Sequence, residues 1–402
     1  MAAWRWRRKQ LTGPRRERSA VQTLDGILVV ALEQAVAAPF ASRQLADLGA
    51  RVIKVERPGV GDFAREYDRS VHGESSYFVW LNRGKQSIEL DIKDPADRAV
   101  LDAMIDQADV VLQNLVPGAA ERLGLDAATL RARRPELVHC SISGYGSSGP
   151  LSRKKAYDLL VQCETGIVSV TGTGDEYAKV GVSIADIATG MYAYSGILAA
   201  LYERATTGEG STLDVAMLDA LGEWMVQPTY YTVYGDNPTR RTGARHPSIA
   251  PYGPYRAGDG GTVFLGVQSD REWAVLCREI LGRPDEVDDP HFARNTERVE
   301  NNDLITRLIE RAFSSMTADE IADRLDEVGI ACARVRTPAE FFDHPQLRAR
   351  DRWRTVDTAS GSVRALLPPV AVRGREPLMR AVPALGEHND SLRAEFAGGA
   401  GS

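Results

Sequence analysis

The chain has 402 residues, room for two domains, with 43% hydrophobic and 26% charged residues and a formal net charge of −6, the composition of a globular protein. No apolar run approaches the roughly 20 residues that a bilayer-crossing helix needs, so no membrane partner is expected. Four scattered cysteines make no CxxC pair and six scattered histidines no metal-ligand spacing, so buried free thiols in a reducing, cytoplasmic setting are expected, and no metal.

Residues 1–20 hold seven Arg or Lys and one Glu, against an acidic remainder. They lack the apolar core of a signal peptide. They read as a disordered basic extension outside the fold, and no nucleic-acid partner is expected.

From residue 26 the pattern is strand, helix, strand. Residues 26–32 are an apolar strand, a small-residue segment from Gln34 leads into a helix ending near Gly49, and Arg51–Glu56 is the next strand. This is a βαβ unit and predicts a parallel sheet. Glu56 at the end of the second strand invites a nicotinamide-cofactor reading. The turn after the first strand lacks the glycines that a dinucleotide pyrophosphate needs. Strands at 87–91, 109–113 and 137–143 follow, with helices at 95–107, 119–123 and 127–134. Gly144 to Gly149 is a formal GxGxxG, but Pro150 follows at once and no periodic helix begins there, so it reads as a glycine-rich turn beside the site.

Residues 155–210 contain a long helical pattern (Ile187, Met191, Tyr194, Ile197, Leu198, Leu201) that ends near Arg204. Asp186 stands where the N-cap belongs, a position that favours an ionised carboxylate. A strand at 211–216 and a helix starting at Leu218 come next. Residues 227–254 show no period and read as a linker. A smaller α+β unit follows, with strands at 261–267 and 330–335 and helices at 270–281, 304–314 and 317–328, the last opened by a Thr317/Glu320 capping box. The tail carries a strand-like stretch at 365–372.

Seven stretches, taken in order, resemble the family III CoA-transferases of the CaiB–BaiF type: ADLGARVIKVERPGVGD (46–62), NRGKQSIELDIK (82–93), QNLVPGAAERLGL (113–125), SISGYGSSGP (141–150), YDLLVQCETG (157–166), ADIATGMYAYSGILAALYERATTGEG (185–210) and PALGEHND (383–390). The resemblance implies an α/β fold: a Rossmann-like large domain with a parallel sheet (21–226 and 340–398), a linker (227–250) and a smaller α+β domain (251–339). It also implies an interlocked homodimer. In the family the carboxylate of the (A/G)DxxxG motif is the nucleophile, here Asp186, followed by Gly190. It attacks the acyl-CoA thioester to give a mixed anhydride. The CoA thiolate then attacks the aspartyl carbonyl, releasing the acid and leaving an aspartyl thioester. An acceptor acid repeats the steps in reverse. Each step needs N–H donors for an oxyanion, expected from the glycine-rich turn (Gly144, Gly146) or the start of the Asp186 helix.

The resemblance further implies that no cofactor is permanently bound and that the substrates are a coenzyme A thioester, with succinyl-CoA the leading donor, and a small carboxylic or dicarboxylic acid. Val36, Arg57, Lys85, Leu90, Asn114, Leu115, Arg122 and Lys155 match CoA-contacting positions. Tyr157 and Asp158 match active-site neighbours. Related α-methylacyl-CoA racemases carry a His where Tyr157 stands. A phenol with a pKa near 10 is a poor α-proton base, which favours transfer over racemisation. A non-catalytic acyl-CoA binder and a dehydrogenase are the remaining alternatives. Glu387 and His388 are matched by tail packing as well as by a catalytic role. The chain departs from formyl-CoA transferases in two ways. It lacks their tetraglycine loop, and Val36 replaces a glutamine, which argues against oxalate. The segment from His246 to Tyr255 is similar to transferases of succinyl-CoA and small dicarboxylic acids, with His246, Tyr252 and Tyr255 expected near the acyl group.

Overall fold

The computed structural model describes residues 22–235, 241–370 and 372–397. The expected disordered extension at 1–20 lies outside them. Among the described residues two compact units are formed, one from residues 22–161, 182–223 and 352–397, the other from 162–181 and 224–351. Residues 162–181 and the segment read as a linker therefore fall in the second unit.

The first unit is built on a six-stranded sheet of β1 (Leu28–Leu32), β2 (Arg51–Glu56), β3 (Lys85–Glu89), β4 (Val110–Gln113), β5 (Val138–Ser143) and β6 (Thr212–Ala216). The strand order is β3-β2-β1-β4-β5-β6, and every pair is parallel. Side chains alternate between two buried faces, as the continuous apolar runs require. Val29, Ala31, Val52 and Leu112 meet helices α1 (Ala37–Asp47) and α4 (Ile184–Thr207) on one face. Val30, Leu32, Ile53 and Val111 meet α2 (Pro95–Gln107) and α6 (Asn389–Ala397) on the other.

The tail covers the open edge at β3. The Ser87 N–H donates to His388 Nδ1 at 3.3 Å, the His388 N–H donates to the Ser87 carbonyl at 3.0 Å, and the Glu89 N–H donates to Asn389 Oδ1 at 2.7 Å. Pairing this edge removes a template for aggregation. Glu387 accepts from the Ala384 N–H. His388 thus packs the edge of β3, and Glu387 closes a turn within the tail.

Helix α4 is long and apolar enough to cross a bilayer by composition, yet Ala185, Ala188, Ala193, Ile197 and Leu201 on it are buried in the core. The helix starts at Ile184 with Ser183 as N-cap, so Asp186 is its third residue rather than its cap. Tyrosines at 194 and 202 and the Gly208 C-cap in the left-handed region show that the helical pattern runs one turn past Arg204.

The second unit carries an antiparallel sheet of Tyr252–Arg256, Thr262–Gly266 and Ala331–Arg334. The Thr317/Glu320 capping box forms as read. Two elements escape the sequence. Helix α5 (Val226–Val233) occupies the supposed linker, and the tail strand at 365–372 is a hairpin of Trp353–Thr358 with Gly361–Leu366.

Candidate active site

The loops after β1, β2, β4 and β5 leave the carboxyl edge of the sheet, where open α/β sheets place their ligands. After β5 the glycine-rich turn lies against the Ala156-Tyr157-Asp158 segment. A Cβ on Gly144 would collide with Ala156, which explains the glycine there. Gly146 has φ +90° and donates its N–H to Ser143 Oγ at 3.1 Å. From Asp158 helix α3 (Asp158–Glu164) begins. The Asp158 carboxylate accepts from the N–H groups of Ala185 (2.8 Å) and Asp186 (3.3 Å). Asp158 therefore caps α4 from outside, and two of the N–H groups expected to serve an oxyanion are already engaged.

Asp186 is half-buried beside this cap. Its carboxyl is pushed up to about 7, mostly by burial and further by the Asp158 charge. The helix start was expected to keep it ionised, but desolvation outweighs the dipole. Tyr157 is 62% exposed. Tyr67, which no motif marks, joins the group. Its hydroxyl is raised to about 12 by burial and by Asp62, Asp186 and Tyr157, and its ring meets Tyr77 edge-on at 5.4 Å.

Helix α1 approaches α4 at Gly190, one turn beyond Asp186 on the same face. A Cβ there would come within 2.7 Å of the Ala37 carbonyl and 3.0 Å of Phe40. The preceding turn is pinned from two loops. Asn114 accepts from the Gln34 N–H (2.9 Å) and donates to its carbonyl (2.8 Å), and Asp62 accepts from the Ala35 N–H (3.0 Å).

The residues expected to meet CoA divide into two sets. Arg57, Arg122 and Lys155 are exposed, and among the described residues their side chains have no hydrogen-bond partner. Asn114 and Leu115 are half-buried. Val36 and Leu90 are buried, leaving only main-chain atoms for a ligand. Lys85 is a correction. Its ammonium is fully buried, 2.6 Å from Glu33 and bonded to Asn82 and the Pro39 carbonyl, and burial lowers it to about 7. It cannot meet a phosphate. Motif position gave no sign that Glu33, across the sheet, waits for it.

The structure also bears on Glu56 and Tyr255. Glu56 is held by Arg65 (2.7 and 2.9 Å), Ser87 and the Asp62 N–H, and against the cost of burial Arg65, the Lys54 charge and Ser87 lower it to about 2. It is a buried ion-pair residue, not a ribose ligand. Tyr255 lies in the core of the second unit, where burial raises its hydroxyl to about 12, while His246 stacks on Tyr252 at 5.2 Å.

A cleft of about 720 Å³ opens at the other sheet edge, lined by Leu28, Arg51, Lys85, Asp109, Arg380 and His388. It holds none of the Asp186 group.

The parallel sheet, with two carboxylates, Asp158 and Asp186, at the head of a core helix, is the frame of an α/β protein. The chain matches the model of CoA-transferase family III over residues 24–389 and belongs to that family. It is 36% identical to the acetyl-CoA:oxalate CoA-transferase of Acetobacter aceti, over 93% of this chain and 95% of that one. It is 32% identical to the succinyl-CoA:glutarate CoA-transferase of Mus musculus, over 83% and 77%. The crystal structure of a CaiB/BaiF family protein from Brucella suis superposes with a TM-score of 0.84 at 33% identity, over 93% of this chain and 99% of that one.

Proposed function

We propose that the enzyme moves CoA from a short acyl-CoA, succinyl-CoA or a close analogue, to a small carboxylic or dicarboxylic acid, with Asp186 as the covalent nucleophile. The observation that carries this is the half-buried carboxyl of Asp186 in the first turn of α4, against the Asp158 cap and raised by burial. A carboxylate titrating near 7 is more basic, hence more nucleophilic, than an ordinary aspartate, yet remains about half ionised at neutral pH.

Asp186 attacks the thioester carbonyl and expels CoA thiolate, forming a mixed anhydride. The thiolate attacks the aspartyl carbonyl, and the donor acid departs. The acceptor carboxylate attacks the resulting aspartyl thioester and again frees the thiolate. The thiolate attacks the acceptor's acyl carbonyl, and the Asp186 carboxylate is restored. Thioester energy is carried in covalent bonds throughout. Exposed Arg57, Arg122 and Lys155 serve the phosphates of CoA, and the main chain at Val36 and Leu90 together with Asn114 and Leu115 lines its path.

The names of the relatives support a small dicarboxylic acceptor, and the oxalate-named one returns oxalate to the candidates that Val36 argued against. Pocket contacts, not the fold, choose among them. Exposed Tyr230 and Tyr231 on α5, Tyr234 at its end, and Tyr202 on α4 support a homodimer that covers them. The free thiols at Cys140, Cys163, Cys277 and Cys332 suit a cytoplasmic setting.

One incubation in D2O tests the reaction. It contains succinyl-CoA, a 2-methylacyl-CoA, and oxalate, glutarate, mesaconate, citramalate and acetate, and is read by mass spectrometry. A new thioester without α-deuterium is expected. Deuterium in the 2-methylacyl-CoA with no new thioester would replace transfer by racemisation.

A further inference from the structure

The turn that joins β1 to α1 is held in a conformation its sequence does not favour. Ala35 has φ +64°, in the left-handed region that alanine rarely enters. Nothing in the side chain of alanine stabilises that geometry, so its neighbours must impose it.

Asp62 does so from the loop after β2. It is 1% exposed. Its Oδ1 accepts from the N–H groups of Ala35 (3.0 Å) and Ala64 (2.9 Å), and its Oδ2 accepts from Lys54 Nζ at 2.8 Å. Its own N–H donates to Glu56 Oε2 at 2.9 Å. Lys54 is itself fully buried and lies 3.4 Å from Glu33, which is paired more tightly with Lys85. Asp62 is therefore anchored by a buried cation and fixed at both ends, and its remaining acceptor capacity is spent on the strained turn.

That turn sets the start of α1, and the Ala37 carbonyl is the surface on which Gly190 seats α4. Asp186 stands one turn away on the same face.

We propose that Asp62, anchored on Lys54, is a positioning residue for acyl transfer: it holds Ala35 in the left-handed conformation and so fixes the first turn of α1 against the helix that carries Asp186. The inference rests on Asp186 as the nucleophile. It assigns Asp62 more than the neutralisation of Lys54.

Two double variants separate those roles. Lys54→Met with Asp62→Asn removes both charges but keeps an acceptor for the Ala35 N–H. Lys54→Met with Asp62→Leu removes the charges and the acceptor together. Both leave the Glu33–Lys85 pair balanced, and replacing a buried ion pair by groups of similar volume is compatible with folding. Thermal melts and the Kd for free CoA check each fold and its binding surface. The Asn version is expected to keep kcat within about tenfold of wild type, and the Leu version to lose about a hundredfold more in kcat, the scale of a misplacement near 1 Å, with a much smaller change in the Kd for free CoA, whose path passes the neighbouring Val36 main chain. Equal kcat in the two folded variants would overturn the proposal. Asp186→Ala run beside them reports separately on the nucleophile: full activity there removes the reading on which the proposal rests, whatever the two double variants do.

Discussion

The Asp158 carboxylate accepts hydrogen bonds from the N–H groups of Ala185 and Asp186, so an acid whose charge acts on Asp186 also closes the helix on which Asp186 is mounted. One side chain thus serves two ends. It satisfies free donors of the first helical turn, and its charge disfavours ionisation of its neighbour.

Asp158→Asn separates the two. The amide oxygen retains an acceptor for the cap while the charge is lost. The acid limb of the kcat/KM profile, set by Asp186, is expected to move down from about 7. The move is partial, because burial is the larger cause. Asp158→Ala loses the cap as well and is expected to cost about 1 kcal/mol of stability, read from a denaturant melt.

The raised Asp186 carboxyl also makes stability depend on pH. The folded chain keeps this proton up to about pH 7, whereas the unfolded chain releases it near the usual aspartate value. Between those points the folded state binds more protons, so stability falls as pH rises through the window and levels off above it. Asp186→Asn cannot titrate. It is expected to raise Tm over wild type more at about pH 8 than at about pH 5, while abolishing turnover. A Tm difference independent of pH would show that Asp186 is not buried as described.

Gly190→Ala tests the seat of α4 on α1. The added Cβ meets the Ala37 carbonyl at 2.7 Å, a main-chain atom that cannot rotate away. The helices must part, at a cost of about 1–3 kcal/mol. About 1 kcal/mol of better helix propensity offsets part of this. A lower Tm together with a lower kcat is expected.

Lys85 and Arg57 stood together as CoA ligands and are expected to behave differently. Lys85→Met strips the tightest partner from buried Glu33 and is expected to cost about 3–5 kcal/mol, seen as a fall in Tm. Arg57→Ala leaves Tm within error and raises the Kd for CoA, measured by calorimetry.

Those two residues also show what the sequence could disclose. The sheet was legible because valine-rich apolar runs such as 28–32 and 51–56 recur at βαβ spacing, and Asp186 because its helix is unmistakably periodic. The burial of Lys85 was not, since it depends on Glu33, 52 positions away and opposite it only once β1 and β3 lie two strands apart. The start of α4 was misread because Asp186 is a good capping residue, while the cap is supplied by Asp158 from another helix. Helix α5 was missed because Val226–Val233 is rich in tyrosine and threonine and has no buried face to impose a period. Tyr67 has no motif at all; only the fold brings it to Asp186.

The most direct test of the account is chemical trapping. The enzyme is incubated with succinyl-CoA, quenched with hydroxylamine, digested, and its peptides are read by mass spectrometry. Both the anhydride and the aspartyl thioester are expected to yield a hydroxamate on the peptide that contains Asp186, dependent on acyl-CoA and absent in Asp186→Asn. Undiminished CoA transfer with an unmodified Asp186 peptide would contradict the covalent route.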